Sequence, residues 1–189
     1  MIELTNIPDK IEFKNTTSHK FKQDLVSFFG KKQLAVCLEI GTNHGWTTKV
    51  LSGLFEKVYS VDHSSDNHEY ARQNTSECAN IVFITADAYA SSTYEGISSI
   101  NVAFIDCVHT YDAVIRDINT ALGLLGDNAE MYLVFDDYGH PQSTGVKDAI
   151  LEAIAAGLSV EEYIGQPAGY SYNSQSTLID HEGIILKYA

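Results

Sequence analysis

Two short apolar runs in this chain end in carboxylates. One closes as Phe104-Ile-Asp106 and continues Cys-Val-His109, and the other closes as Val134-Phe-Asp136-Asp137-Tyr138. Three carboxylates brought to one place repel one another unless a proton or a cation intervenes. Asp106, Asp136 and Asp137 are hard oxygen donors. They are the kind of ligand Mg²⁺ takes, with water and substrate oxygens completing an octahedron. The competing reading is a helix cap with a solvated neighbour.

A second set of residues points to a bound organic molecule. Glu39-Ile-Gly41-Thr42-Asn43-His44-Gly45-Trp46 runs from an apolar stretch through a glycine turn into a helical pattern. Glycines let backbone approach a ligand closely, and a helix start offers free N–H groups. An ordinary tight turn reads the same way. Asp62 ends the next apolar run, 21 residues after Gly41. A carboxylate there can accept both hydroxyls of a ribose, or simply cap the following helix. Asp87 follows a third run and is suited to the exocyclic amine of adenine, with neighbouring N–H groups reaching the ring. Alone, it reads equally as a turn residue. Together the three suggest an adenosine-type cofactor.

Glu39-x-Gly41-x-x-x-Gly45, Asp62 and Asp87, each after its own apolar run, resemble class I S-adenosylmethionine-dependent methyltransferases. The resemblance covers roughly residues 34 to 188. Asn43 stands where many members carry a third glycine. The stretch around it looks like the small-molecule O-methyltransferase subgroup, which includes the catechol, caffeoyl-coenzyme A and macrolide-sugar enzymes. The resemblance implies a Rossmann-like α/β fold, doubly wound, with helices on both faces of seven strands. The sheet is mostly parallel with its last strand antiparallel. Gly41 and Gly45 would wrap the methionine part of the cofactor, beside Glu39, Thr42 and Asn43. Asp62 with His63 would take the ribose, Asp87 with Ala88 the adenine, and Asp106 would border both cofactor and metal. His109 would be the general base, because a histidine near its ordinary pKa of ~6.5 can accept a hydroxyl proton at neutral pH. A divalent cation, Mg²⁺ by preference, would sit on Asp106, Asp136 and Asp137 and lower the pKa of a substrate oxygen.

The elements needed to position these residues are legible as alternating patterns. Phe21, Leu25, Phe28 and Phe29 define a helix after Ser18 that Gly30 ends. Buried-strand patterns cover residues 34–40, 57–62, 80–85, 101–106 and 130–136. Helices start at Trp46 and at a cap on Asp66, the latter running to about Cys78 with Glu69 in its first turn. Two more carry Val114, Ile118, Leu122 and Leu125, and Val146, Ala149, Ile150, Ala153 and Ile154. Arg116 and Asp117 read as a solvated helix face. Residues 159–164 and 177–188 read as closing strands around a Tyr-rich loop. Such alternation predicts a parallel sheet that binds ligands beyond its carboxyl ends. The expected division is an N-terminal helical extension, 1–33, and a cofactor-binding domain, 34–189.

Bulk properties narrow the partners. The chain has 189 residues and a net charge of −13, with 12 basic residues against 25 acidic ones. Neither nucleic acid nor an anionic membrane is expected to be a partner, since both need basic patches. Three cysteines without a CxxC pair suggest neither a disulfide framework nor a zinc knuckle. No apolar run is long enough to span a bilayer and no leader pattern opens the chain, so a cytoplasmic location is expected. The expected partner is a small-molecule substrate, and homo-oligomerisation stays open. Lower weight falls on His44 as a backbone contact to the cofactor, on His140 as an addition to the metal or substrate site, and on Trp46, Tyr138, Tyr170 and Tyr172 as the lining of an aromatic substrate pocket. Two other functions remain: a nicotinamide-dependent oxidoreductase, and a non-methyltransferase on the same fold, either an iron-dependent hydroxylase or a non-catalytic binder.

Overall fold

The computed structural model describes residue 4 and residues 6–12, 15–173 and 176–189. Its elements in chain order are α1 (His19–Phe29), β1 (Val36–Ile40), α2 (Trp46–Leu54), β2 (Lys57–Asp62), α3 (Ser65–Asn74), β3 (Ile81–Thr85), β4 (Val102–Ile105), α4 (Tyr111–Gly123), β5 (Met131–Phe135), α5 (Thr144–Ala155), β6 (Ser159–Ile164) and β7 (Gly183–Tyr188), with a single 3₁₀ turn at Ser91–Tyr94. The sheet has seven strands in the order β3-β2-β1-β4-β5-β7-β6. Strands β1 to β5 pair in parallel, and β7 runs antiparallel to both β5 and β6.

Strand direction and register decide where the polar ends fall. Ile40 pairs with Ile105, and Ile105 with Phe135. The residues that follow, Gly41, Asp106 and Asp136, therefore emerge level with one another along one edge. The strand order reverses between β1 and β4, which opens a crevice at their carboxyl ends. Each face of the sheet is covered. One core joins Leu38, Ile105, Leu133 and Ile184 to Val114 and Ile118 of α4 and to Ala149 and Ile150 of α5. The other joins Phe104, Val134 and Ile185 to Phe21, Leu25 and Phe29 of α1 and to Leu51 of α2. The fully buried strands read as continuous apolar runs for this reason. None of the described helices is long and apolar enough to cross a membrane.

Three local expectations change. The cap of α3 is Ser64, whose hydroxyl accepts from Asn67 N; Asp66 instead lies in the first turn, where its charge suits the helix dipole. That helix also stops at Asn74, because Thr75 leaves helical geometry and donates its hydroxyl to the Ala71 carbonyl, 2.7 Å away. The final strand is only Gly183–Tyr188. Residues before it hydrogen-bond elsewhere, Ile179 N to the Gly139 carbonyl and Glu182 N to the Gln166 carbonyl, and Thr177 forms one bridge to Ser171.

Asp117 is not on a solvated face. It is 1% exposed, and among the described residues neither carboxylate oxygen has a hydrogen-bond partner. Burial pushes its pKa up to about 7. The unfolded carboxyl titrates near ~3.9, so between these values the folded chain binds the extra proton and stability falls as pH rises. Asp117→Asn removes that dependence. Denaturant titrations at pH 5 and pH 8 should show wild type losing about 2–3 kcal/mol more than the variant over that interval. Equal losses in both proteins would place the buried proton elsewhere.

Candidate active site

The β1–α2 turn is built by backbone conformation. Gly41 adopts φ 100°, and a Cβ there would lie 2.1 Å from the Asp106 carbonyl oxygen. Only glycine lets the ends of β1 and β4 approach this closely. Gly45 caps α2 at φ 77°, and a Cβ on it would press on Ala71 of α3. Asn43 also has positive φ, 48°, and its N–H donates to Asp62 Oδ2 at 2.9 Å.

Beneath the turn runs a buried polar chain. Glu39 is 0% exposed, and its Oε2 accepts from Thr48 at 2.6 Å and Ser60 at 2.5 Å. Ser60 meets Thr42 at 2.6 Å, Thr42 meets His68 Nε2 at 3.1 Å, and His68 Nδ1 meets Thr85 at 2.7 Å. Glu39 lines the cavity, and its Oε1 has no partner among the described residues. Burial pushes the Glu39 pKa up to about 8, against the two hydroxyl hydrogen bonds. Ser60 and His68 were missed in the sequence. A serine inside the apolar run Val58-Tyr-Ser-Val was the available signal.

The cavity at the β1/β4 crevice has a volume of about 300 Å³. Of the expected cofactor contacts, Glu39, Gly41, Thr42, Asn43 and Asp106 line it, as do Trp46 and His140. Asp62 lies next to it, with its oxygens engaged by the N–H groups of Asn43 and Ser64 and by the Asn67 amide. His63 has an 83% exposed side chain 3.5 Å from Asp62. Asp87 is exposed, accepting from Tyr89 N in a local turn, and Ala88 is buried with its carbonyl held by the Tyr94 hydroxyl. Asp87 and Ala88 stand at the end of β3, away from this cavity. His44 stacks on Tyr70, Tyr138 packs on Tyr163, and Tyr170 meets Tyr172 edge-on.

The second wall carries the charge. His109 bridges two aspartates, with Nε2 3.2 Å from Asp106 Oδ1 and Nδ1 3.3 Å from Asp137 Oδ2. One donor atom from each of these three residues lies within 4.8 Å of the others. Asp136 also borders the cavity, but its Oδ2 faces Lys10 Nζ at 3.3 Å. Consecutive strand residues normally point to opposite faces. Asp137 has φ 57°, and this left-handed residue turns both aspartates into the cavity. Lys10 was not anticipated, nor was the fully buried Glu182, which accepts from Ser18 N at 2.9 Å and Gln166 N at 3.0 Å.

The titrations follow from this crowding. The Asp106 hydrogen bond, against the cost of burial and with help from Asp137, pushes His109 up to about 9. Burial raises Asp106, and raises Asp136 strongly despite Lys10. Burial would also raise Asp137, but Lys10 and His109 outweigh it and hold its pKa below the usual value. Lys10 is lifted well above the ordinary lysine range, because three carboxylates overcome its desolvation.

A parallel sheet with an antiparallel β7, a glycine turn after β1 and acids at each strand end define the methyltransferase class of α/β proteins. Residues 38–138, more than half of the chain, match the family model for a methyltransferase domain, and the protein belongs to that family. A search of curated proteins finds no match. Among solved structures, the chain resembles an O-methyltransferase from Bacillus cereus in complex with S-adenosylhomocysteine, with a TM-score of 0.67 and 21% identity over 96% of this chain and 84% of that one. It also resembles the N-methyltransferase NodS from Bradyrhizobium japonicum, again with S-adenosylhomocysteine, at 0.66 and 15% over 97% and 88%. A precorrin-6y C5,15-methyltransferase from Geobacter metallireducens gives 0.68 and 13% over 100% and 98%. At these identities the likeness shows the fold.

Gly41→Ala tests the turn. A methyl group forced against the Asp106 backbone at positive φ should cost at least about 2 kcal/mol, read as a lowered denaturation midpoint. An unchanged midpoint would mean that β1 and β4 separate easily.

Proposed function

We propose that this protein is an S-adenosylmethionine-dependent O-methyltransferase that acts on a small hydroxylated molecule with help from a divalent cation. One observation carries the reading. The Asp106–His109–Asp137 cluster faces the same cavity as the glycine turn and the unpartnered Glu39 Oε1.

The residues fit the cofactor. A buried carboxylate oxygen without a donor matches the amino group of the methionine part, and the Gly41 turn leaves backbone free to approach it. Asp62 supplies the ribose acceptor once the Asn67 amide yields. Asp87 and Ala88 are assigned to the adenine by their place after β3. When bound, the cofactor supplies an electrophilic methyl group on a positively charged sulfur.

The residues also fit a cation. Asp106 and Asp137 offer hard oxygens, with Asp136 beside them as the third acid of the cluster. A divalent ion there supplies Lewis acidity to a substrate oxygen and offsets the carboxylates that keep His109 protonated. His109 would take the substrate hydroxyl proton at a ring nitrogen released from Asp106 or Asp137. Trp46 and His140 border the space left for the substrate. A catechol, a sugar or a polyketide glycoside suits such a site by presenting vicinal oxygens. The excess of acidic residues supports a small-molecule partner over nucleic acid or membrane.

Transfer of labelled methyl from S-adenosylmethionine to a panel of catechols and vicinal diols tests this, with Mg²⁺ and after chelation. Wild type should methylate at least one oxygen acceptor, and chelation should slow it. His109→Ala should lower turnover by about 10²–10⁴ while leaving calorimetric S-adenosylmethionine binding intact. Absence of cofactor binding to wild type would sink the proposal. Undiminished turnover in His109→Ala would remove the base.

A further inference from the structure

Two groups of carboxylates share Asp137, and Lys10 sits within one of them. Asp137 is the wall between them, with Oδ2 facing His109 at 3.3 Å and Oδ1 facing Lys10 Nζ at 3.3 Å. On its own side Lys10 also lies 3.3 Å from Asp136 Oδ2 and 3.8 Å from Glu182 Oε1, and 5.3 Å from the centre of the Tyr172 ring. Lys10 donates to Asp136 and Asp137 and stands within ion-pair distance of Glu182, so its charge is spent on three carboxylates and Lys10 acts as a counter-ion. Lys22 also feels the charge of Glu182 and Asp136, but its ammonium donates to the Thr17 carbonyl rather than to a carboxylate.

The other seat has no cation of its own apart from the proton on His109. It is bounded by Asp106, His109 and Asp137. A second observation is an acceptor that Lys10 leaves unused. Asp136 is 5% exposed and lines the cavity, and its Oδ1 has no hydrogen-bond partner among the described residues.

We propose that Lys10 is a resident cation of the active site, filling the seat formed by Asp136, Asp137 and Glu182, so that the cavity accepts a single divalent ion between Asp106 and Asp137. The ion is thereby confined to the β4 side, close to His109. Lys10 belongs to the segment before α1, and Asn15 and Thr16 from the same region also line the cavity. One contact therefore sets both the number of metal ions and the position of that wall. Without the ammonium, three carboxylates remain around a vacated seat, a donor set that suits a divalent ion. The inference rests on the metal-assisted reading above, and its test separates the two.

Mn²⁺ titration of the full chain, with free Mn²⁺ read by electron paramagnetic resonance, counts the seats without any substrate. Wild type should bind one ion, Lys10→Met two and Lys10→Arg one. The second site in Lys10→Met should lie within about tenfold of the first, since both offer carboxylate oxygens. No ion in wild type and one in Lys10→Met would support the seat filled by Lys10 and overturn metal assistance. The same count and affinity in both would overturn the inference and leave metal assistance standing. No binding to either would overturn both. Should Lys10→Met fail to fold, Lys10→Gln keeps a donor toward the carboxylates and is read in the same way.

Discussion

Four carboxylates, Asp106, Asp136, Asp137 and Glu182, meet where the sheet ends, and water reaches all but Asp106 poorly. Like charges in a medium of low polarity repel strongly, so the arrangement survives only with protons or positive charge among them. Lys10 and His109 provide it, and each is drawn from a different part of the chain. Holding them there requires the segment before α1 to fold over the cavity and the β4–α4 loop to turn back toward β5. The placement of α1 follows from the same requirement, since its capping residue, Ser18, donates its N–H to Glu182.

The opposite wall is neutral in character and just as organised. Glu39, Ser60, Thr42, His68 and Thr85 pass hydrogen bonds across the ends of β1, β2 and β3. A buried network of this kind fixes orientation because every broken link leaves an unpaired polar atom. It ends at one unpaired oxygen of Glu39. The cavity thus has a rigid side with a single open valence and a charged side that titrates, a division suited to holding one molecule while deprotonating another.

Much of this was readable in advance because parallel strands buried on both faces leave continuous apolar runs, and acids at their ends stand out. That rule located Asp62, Asp106, Asp136 and Asp137 and the sheet itself. It did not reveal that Asp136 faces a lysine. Lys10 lies in a polar segment, 126 residues from Asp136, and nothing local marks its destination. Asp87 and Ala88 were found at the end of their strand, yet the cavity lies at β1 and β4. Asp117 teaches a different lesson. Its spacing from Val114, Ile118 and Ala121 places it on the buried stripe of α4, and the charge of the residue had been given more weight than its period.

Glu182 has a consequence for how the molecule comes into being. It joins residues 164 positions apart, and the strand that follows it, β7, lies between β5 and β6. Contacts this distant in sequence form late, because a long loop must close before they can repay its entropy. While the chain leaves the ribosome, the crevice between β1 and β4 can appear early, but the anchor for the first helix has not yet been made. The β1–β4 part of the sheet can therefore form before α1 is anchored.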